Sequence, residues 1–238
     1  MQSPLLAHTA GTGTDRFALQ NPQLLRVTLD GRSEVLARSG AMVAHVGRVD
    51  FTGWTPPSGN SRRGGSGNGR QGANRRRDAG VLDLMRCSGT GTVYLANLAQ
   101  HLHVLQLNQE RLVVTNSYVL ALDTTLDWHT VAIENGDRIA GVGSRCLEVS
   151  GTGGLVLMTS GRPLVMPVEP GRYVYGDADA VVGWSSGLEV QLQAQSTNTE
   201  AWRRRGTATE GWELAFTGRG YVVVQPSELL PPQRVPRG

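Results

Sequence analysis

Hydrophobic and polar positions alternate along much of this chain with the period of two that a half-buried strand requires. Leu25-Arg26-Val27-Thr28-Leu29 is the clearest case, and Asp30-Gly31 behind it is a turn signal. Glu34-Val35-Leu36-Ala37 makes the return strand, and after Ser39-Gly40 a third short run follows, Ala41 to Val46. The same order of strand, turn, strand, turn, strand recurs further on. Leu102 to Leu107 turns at Asn108-Gln109 into Arg111 to Thr115, and Tyr118 to Leu122 follows. A third passage turns at Pro170-Gly171, returns as Tyr173-Val174-Tyr175, and later alternates again from Leu188 to Leu192.

One short motif marks the repetition. Ser88-Gly89-Thr90-Gly91 precedes an apolar run, as do Ser150-Gly151-Thr152-Gly153 and Thr217-Gly218-Arg219-Gly220. The offset of 62 between Gly89 and Gly151 also lays Val113 on Tyr175, Val119 on Val181, Leu122 on Trp184 and Leu126 on Leu188. An offset near 77 lays Val35 on Leu112 and Met42-Val43 on Val119-Leu120. The pattern predicts an all-β fold made by threefold duplication of units of about 60 residues. The expected division is a first β unit over 1–54, an Arg/Gly-rich disordered insertion over 55–80, a second unit over 81–139, a third over 140–230, and a mobile tail over 231–238. The strand Tyr221 to Gln225 is expected to close an open edge of the third unit. Thr199 to Arg205 is the sole stretch with helical character, and Gly206 would stop it.

Composition narrows the classes. The 238 residues, 39% hydrophobic, can bury a core. No apolar run is long enough for a membrane-spanning helix, and Met1-Gln2-Ser3-Pro4 opens no signal-peptide pattern, so a cytoplasmic protein is expected. The two cysteines, Cys87 and Cys146, form no zinc-type pair and are expected as buried free thiols. All 23 basic side chains are Arg, which excludes a phosphate-binding loop that needs lysine. The net charge of +3 is concentrated: Arg62, Arg63, Arg70, Arg75, Arg76 and Arg77 face Asp78 alone between Ser58 and Gly80, a local +5.

Each candidate for chemistry has a plainer reading beside it. Gly89, Gly91, Gly151, Gly153, Gly218 and Gly220 could cradle a phosphate, but such cradles open helices, and here each precedes a strand; a structural role, permitting a bulge or close backbone approach, is expected. Gly183-Trp184-Ser185-Ser186-Gly187 matches the form of a nucleophile elbow, yet the alternation after it is that of a strand where the elbow needs a helix. His101 and His103 share one face of a strand, as a pair of metal ligands would. A cupin-type site would also want a glycine where Leu95 stands and an acid nearer than Glu110, so no metal and no cofactor is expected. The arginines of the insertion, with Arg203, Arg204 and Arg205 beside Trp202, could contact phosphates of a nucleic acid or another anionic surface; the plainer reading is a solvated Arg-biased linker.

Leu25 to Gly31, Gly40 to His45, Gly89 to Ala96, and Leu112-Val113-Val114 with Val119 to Asp123, taken in this order and spacing, resemble the Altered Inheritance of Mitochondria protein 24 family over nearly the whole chain. The resemblance implies β-sandwich or short double-stranded β-helix units like those of the tryptophan RNA-binding attenuation protein, packed around a pseudo-threefold axis, and a homo-oligomer. It implies no catalytic residues. The expected function is therefore a non-enzymatic scaffold or binding protein. The alternatives are nucleic-acid or anionic-surface binding through the Arg-rich segment, with another protein as a further possible partner, and a metal-dependent enzyme in a barrel interior.

Overall fold

The computed structural model describes residues 9–54, 82–133, 145–194 and 212–227. Among these the regular elements are strands and one 3-10 turn at Asn116–Tyr118. The strands are β1 (Phe17–Asn21), β2 (Leu24–Asp30), β3 (Val35–Arg38), β4 (Met42–Gly53), β5 (Leu84–Leu95), β6 (His101–Thr115), β7 (Val119–Asp123) and β8 (Leu126–Ala132). They continue with β9 (Arg145–Thr159), β10 (Leu164–Val168), β11 (Val174–Asp177), β12 (Val181–Ser185), β13 (Glu189–Ala194), β14 (Trp212–Thr217) and β15 (Gly220–Val224). The fold is all-β, as the alternation predicts.

Twelve strands form one large antiparallel sheet in the order β1-β2-β5-β3-β7-β9-β6-β12-β15-β10, with β4 on β5 and β8 on β9; β11, β14 and β13 form a second, three-stranded sheet. Two long strands change partners along one edge, β5 and, passing from β8 to β7, β9. The start of β5 pairs with β3 and its end with β2, while β4 lies along its other edge. Glycine makes the necessary bends possible: Gly89 sits at φ +104, and a Cβ there would lie 2.2 Å from the carbonyl oxygen of Arg48.

The core has three clusters. Leu25, Val27, Val93 and Met158 belong to the first, Leu112, Leu122, Leu147 and Leu155 to the second, and Val168, Trp184, Phe216 and Val222 to the third. Burial of each such side chain stabilises the fold by roughly 1.5–3 kcal/mol. Strands between clusters are covered on both faces. Val35 and Ala37 of β3 point into the first cluster and Leu36 into the second.

Two expectations change. Asn108-Gln109 is not a turn: β6 runs through it, paired with β9 on both sides of a bulge between Asn108 and Glu110. Gln109 takes φ +58 as the additional residue, which bends the strand without ending it. Likewise β15 pairs back as expected and covers the free edge of β12, but it is not the last strand. It lies inside the sheet between β12 and β10, because its two sides both find antiparallel partners, and β10 is the edge. The Thr199 to Arg205 segment lies outside the described residues.

Candidate functional site: the cavity over His101 and His103

The start of β6 carries two imidazoles two residues apart, so both project on the same side of the strand. They line an open cavity of about 610 Å³ with Leu102, with Leu19, Asn21 and Pro22 from β1 and the turn after it, and with Arg162 and Pro163 from the loop before β10. The backbone N–H of Leu102 donates to the Pro22 carbonyl at 2.7 Å, which holds that turn against β6. Long-range pairing assembles the rest, since His101 stands opposite Thr159 in the β6–β9 ladder.

Hydrogen bonding fixes the tautomer of His103. The Thr159 hydroxyl donates to the Gly161 carbonyl at 2.6 Å, and the same oxygen lies 2.8 Å from His103 Nε2. Having spent its proton, Thr159 must accept from Nε2–H, so in the neutral ring Nδ1 carries the free lone pair. Burial lowers the His103 pKa, and the charge of His101 lowers it further. Arg162 is exposed and the lining includes no carboxylate. The cavity therefore holds one fixed cation, two imidazoles, one amide and several apolar walls.

This arrangement suits an anion better than a metal. A guanidinium in the lining repels a cation, and among the described residues no group of three or more His, Cys, Asp or Glu side chains could hold a metal ion. His101 and His103 thus come together, but without a third ligand of those types beside them.

The remaining sequence candidates are placed as follows. Gly89 and Gly91 lie within β5, Gly151 and Gly153 within β9, while Gly218 and Gly220 lie at the β14–β15 hairpin; none opens a helix. Ser185 ends β12, accepts from the Tyr221 N–H at 3.1 Å, and is followed by a turn and β13, so the strand-to-helix geometry of a nucleophile elbow is not formed. Cys87 and Cys146 are buried free thiols, as expected, their pKa values pushed up by burial to about 11 and about 12. Arg62, Arg63, Arg70, Arg75, Arg76, Arg77, Arg203, Arg204 and Arg205 lie outside the described residues.

Sequence reasoning missed Thr159, which strand pairing brings to the histidines, and Arg162 and Asn21, which line the same cavity; none leaves a local signature. It also missed a polar network that begins at Ser160, next to Thr159 in the chain. Gln225 accepts from the Ser160 N–H at 2.9 Å and donates to Tyr118 Oη at 3.0 Å, and Tyr118 donates to the Asp179 carbonyl at 2.6 Å.

This β architecture finds counterparts among known proteins. The family model described as mitochondrial biogenesis AIM24 matches residues 17–227, and the chain belongs to that family. The crystal structure of protein SPYM3_0169 from Streptococcus pyogenes superposes with a TM-score of 0.65 at 19% identity, covering 89% of this chain and 92% of that one; at this identity the likeness is one of fold. No curated protein matches. Among the described residues no helix is long and apolar enough to cross a membrane.

Proposed function

We propose that this is a non-enzymatic, cytoplasmic binding and scaffold protein, built by duplication from three β units and acting as a homo-oligomer, with the His101–His103–Arg162 cavity as its ligand site. The observation that carries the binding role is the lining itself: cationic and donor groups above apolar walls, with no carboxylate or nucleophile aimed into it. It fits a small molecule with an anionic head, a carboxylate or a phosphate monoester, and a short apolar body.

Structural register supports the duplication. The strands β7 and β12 lie 62 positions apart end to end. A bulge falls at Met42/Ala44 against β5, at Val119/Ala121 against β9, and at Val181/Gly183 against β15, positions equivalent under the sequence offsets. Duplicated units that share even their irregularities favour a single ancestral β unit.

Titration of isotopically labelled protein with butyrate and with inorganic phosphate tests the site. Shifts of the His101 and His103 ring signals that saturate, and that Arg162→Ala weakens about tenfold, are expected. Unperturbed rings up to millimolar ligand, or a robust turnover abolished by His103→Ala or Ser185→Ala, would defeat the reading.

The local charge of +5 between Ser58 and Gly80 favours a second reading, nucleic-acid or anionic-surface binding through that segment. Salt-sensitive binding of a single-stranded oligonucleotide that disappears when 58–80 is deleted supports it; unchanged affinity in the deletion removes it.

A further inference from the structure

Two seams inside the chain are built alike. At the first, β3 pairs with β7, Val35 opposite Asp123 and Ala37 opposite Ala121. At the second, β6 pairs with β12, Leu112 opposite Ser185 and Val114 opposite Gly183. Moving each first-seam residue by its repeat offset, 77 on β3 and 62 on β7, reproduces the second register residue for residue. Applied once more, the progression calls for β11 to meet the equivalent of β12, which is the start of β4.

Among the described residues that third seam is unmade. β11 pairs with β14 alone and β4 with β5 alone. The consequence shows in burial: Val119 and Leu120 of β7 are 0% exposed and Asp123 is 7% exposed, whereas their counterparts Met42, Val43 and Val46 on β4 are 38%, 57% and 67% exposed. Side chains tell the same story. Leu36 reaches from β3 into the second cluster and Val113 from β6 into the third; the next in this series is Tyr175. In the opposite direction Leu120 packs into the first cluster and Val182 into the second; the one before them is Val43. Both are exposed apolar side chains at an open strand edge. The far edge of the large sheet, β10, differs, since it carries Pro167, which cannot donate to an added strand.

We infer that β11 of one copy of this chain pairs antiparallel with β4 of the next, Val174 opposite Val46, Tyr175 opposite His45 and Gly176 opposite Ala44, with Tyr175 and Val43 entering the neighbour's cores. This inference rests on the oligomeric reading and specifies its interface. The contact uses two different surfaces, so it is head-to-tail, and it generates a ring or, if the rotation does not close, a filament.

Cysteine cross-linking tests the register. Opposite residues on antiparallel strands have Cβ atoms about 4.5–5.5 Å apart, within reach of a disulfide or a short bis-maleimide. Full-length Val46→Cys and Val174→Cys chains are cross-linked separately, mixed, and as the double variant, with the unsubstituted protein, whose own thiols are buried, as control. A two-chain product in the mixture and in neither single variant is expected, as is a ladder of products in the double variant. Dimers from Val46→Cys alone mean a symmetric β4–β4 contact, and a double variant linked within one chain means internal closure; either overturns the proposal. Sedimentation of the unsubstituted protein separates the two levels: an oligomer that shows no cross-link in the mixture removes this seam and leaves the oligomeric reading, whereas a monomer at every concentration removes both. Val43→Lys provides an independent check, with the oligomer lost and the monomer's melting temperature retained.

Discussion

Nε2 of His103 donates across the β6–β9 ladder to Oγ1 of Thr159, whose own proton goes to Gly161, so the polarity of the pair is set by a backbone carbonyl. Because burial and then His101 lower the His103 pKa, the unfolded chain, whose histidines titrate near about 6.5, binds more protons in the window just below that value. Stability is complete above the window and falls as pH drops through it. His103→Gln is expected to flatten the melting temperature between pH 7 and 5 relative to the unsubstituted protein. Identical pH slopes for the two would show that His103 does not titrate as its surroundings dictate.

Thr159→Val keeps the shape of the side chain and removes the acceptor. Losing this hydrogen bond from a half-buried ring, together with the Thr159 bond to Gly161, should cost about 1 kcal/mol, readable as a lower denaturant midpoint. The neutral ring should also lose its fixed Nε2–H tautomer, which nitrogen chemical shifts report. A variant with the original tautomer would mean that another group holds the ring.

Gly89 and Gly40 make a contrasting pair, since both have positive φ but only one is crowded. At Gly40, φ +81, an added Cβ meets nothing within 4 Å, and Gly40→Ala should cost about 1 kcal/mol. At Gly89 the Cβ would fall against Arg48, so Gly89→Ala should cost about 3 kcal/mol or more, with β4 amide protection lost first. Equal effects at the two sites would show that conformation, not β4–β5 approach, sets the requirement for glycine.

Asp123 joins the segment before β1 to the middle of the large sheet. It receives Arg16 on Oδ1 and the Gly154 N–H at 2.8 Å on Oδ2, while Arg16 also reaches Ser33 and the Glu34 carbonyl. Arg16 keeps its bonds to Ser33 and Glu34, but the buried Gly154 N–H loses its acceptor, so Asp123→Ala should destabilise by about 1–3 kcal/mol in urea unfolding. A loss below about 0.5 kcal/mol would class the pair with exposed surface bridges.

The two thiols, raised to about 11 and about 12, should resist iodoacetamide at pH 8 in the native protein and react fully in denaturant. Modification of the native chain at the denatured rate would mean that the core around Cys87 or Cys146 opens readily.

Strand content was legible because β-branched alternation and turn residues are local signals: Leu25 to Leu29 became β2, and the offset of 62 carried β7 onto β12. Asn108-Gln109 misled because the same residues serve a turn or a bulge, and the choice depends on whether β9 continues alongside. The histidines were visible as a pair, but Thr159 and Arg162, which set the tautomer of His103 and the sign of the cavity's charge, were not. Those residues lie more than fifty positions away and acquire meaning through register.

The sequence by itself determined the all-β class, the recurring Gly-x-Gly motif, the free thiols and the family, because periodicity, backbone permissiveness and motif order are properties of the chain alone. Only the tertiary structure decided which strands are neighbours, that β15 is interior, that a cavity opens beside His101 and His103, and that β4 and β11 each keep one edge unpaired among the described residues. These depend on pairing between distant segments, where each added ladder must offset loop-closure entropy and no local preference specifies the partner.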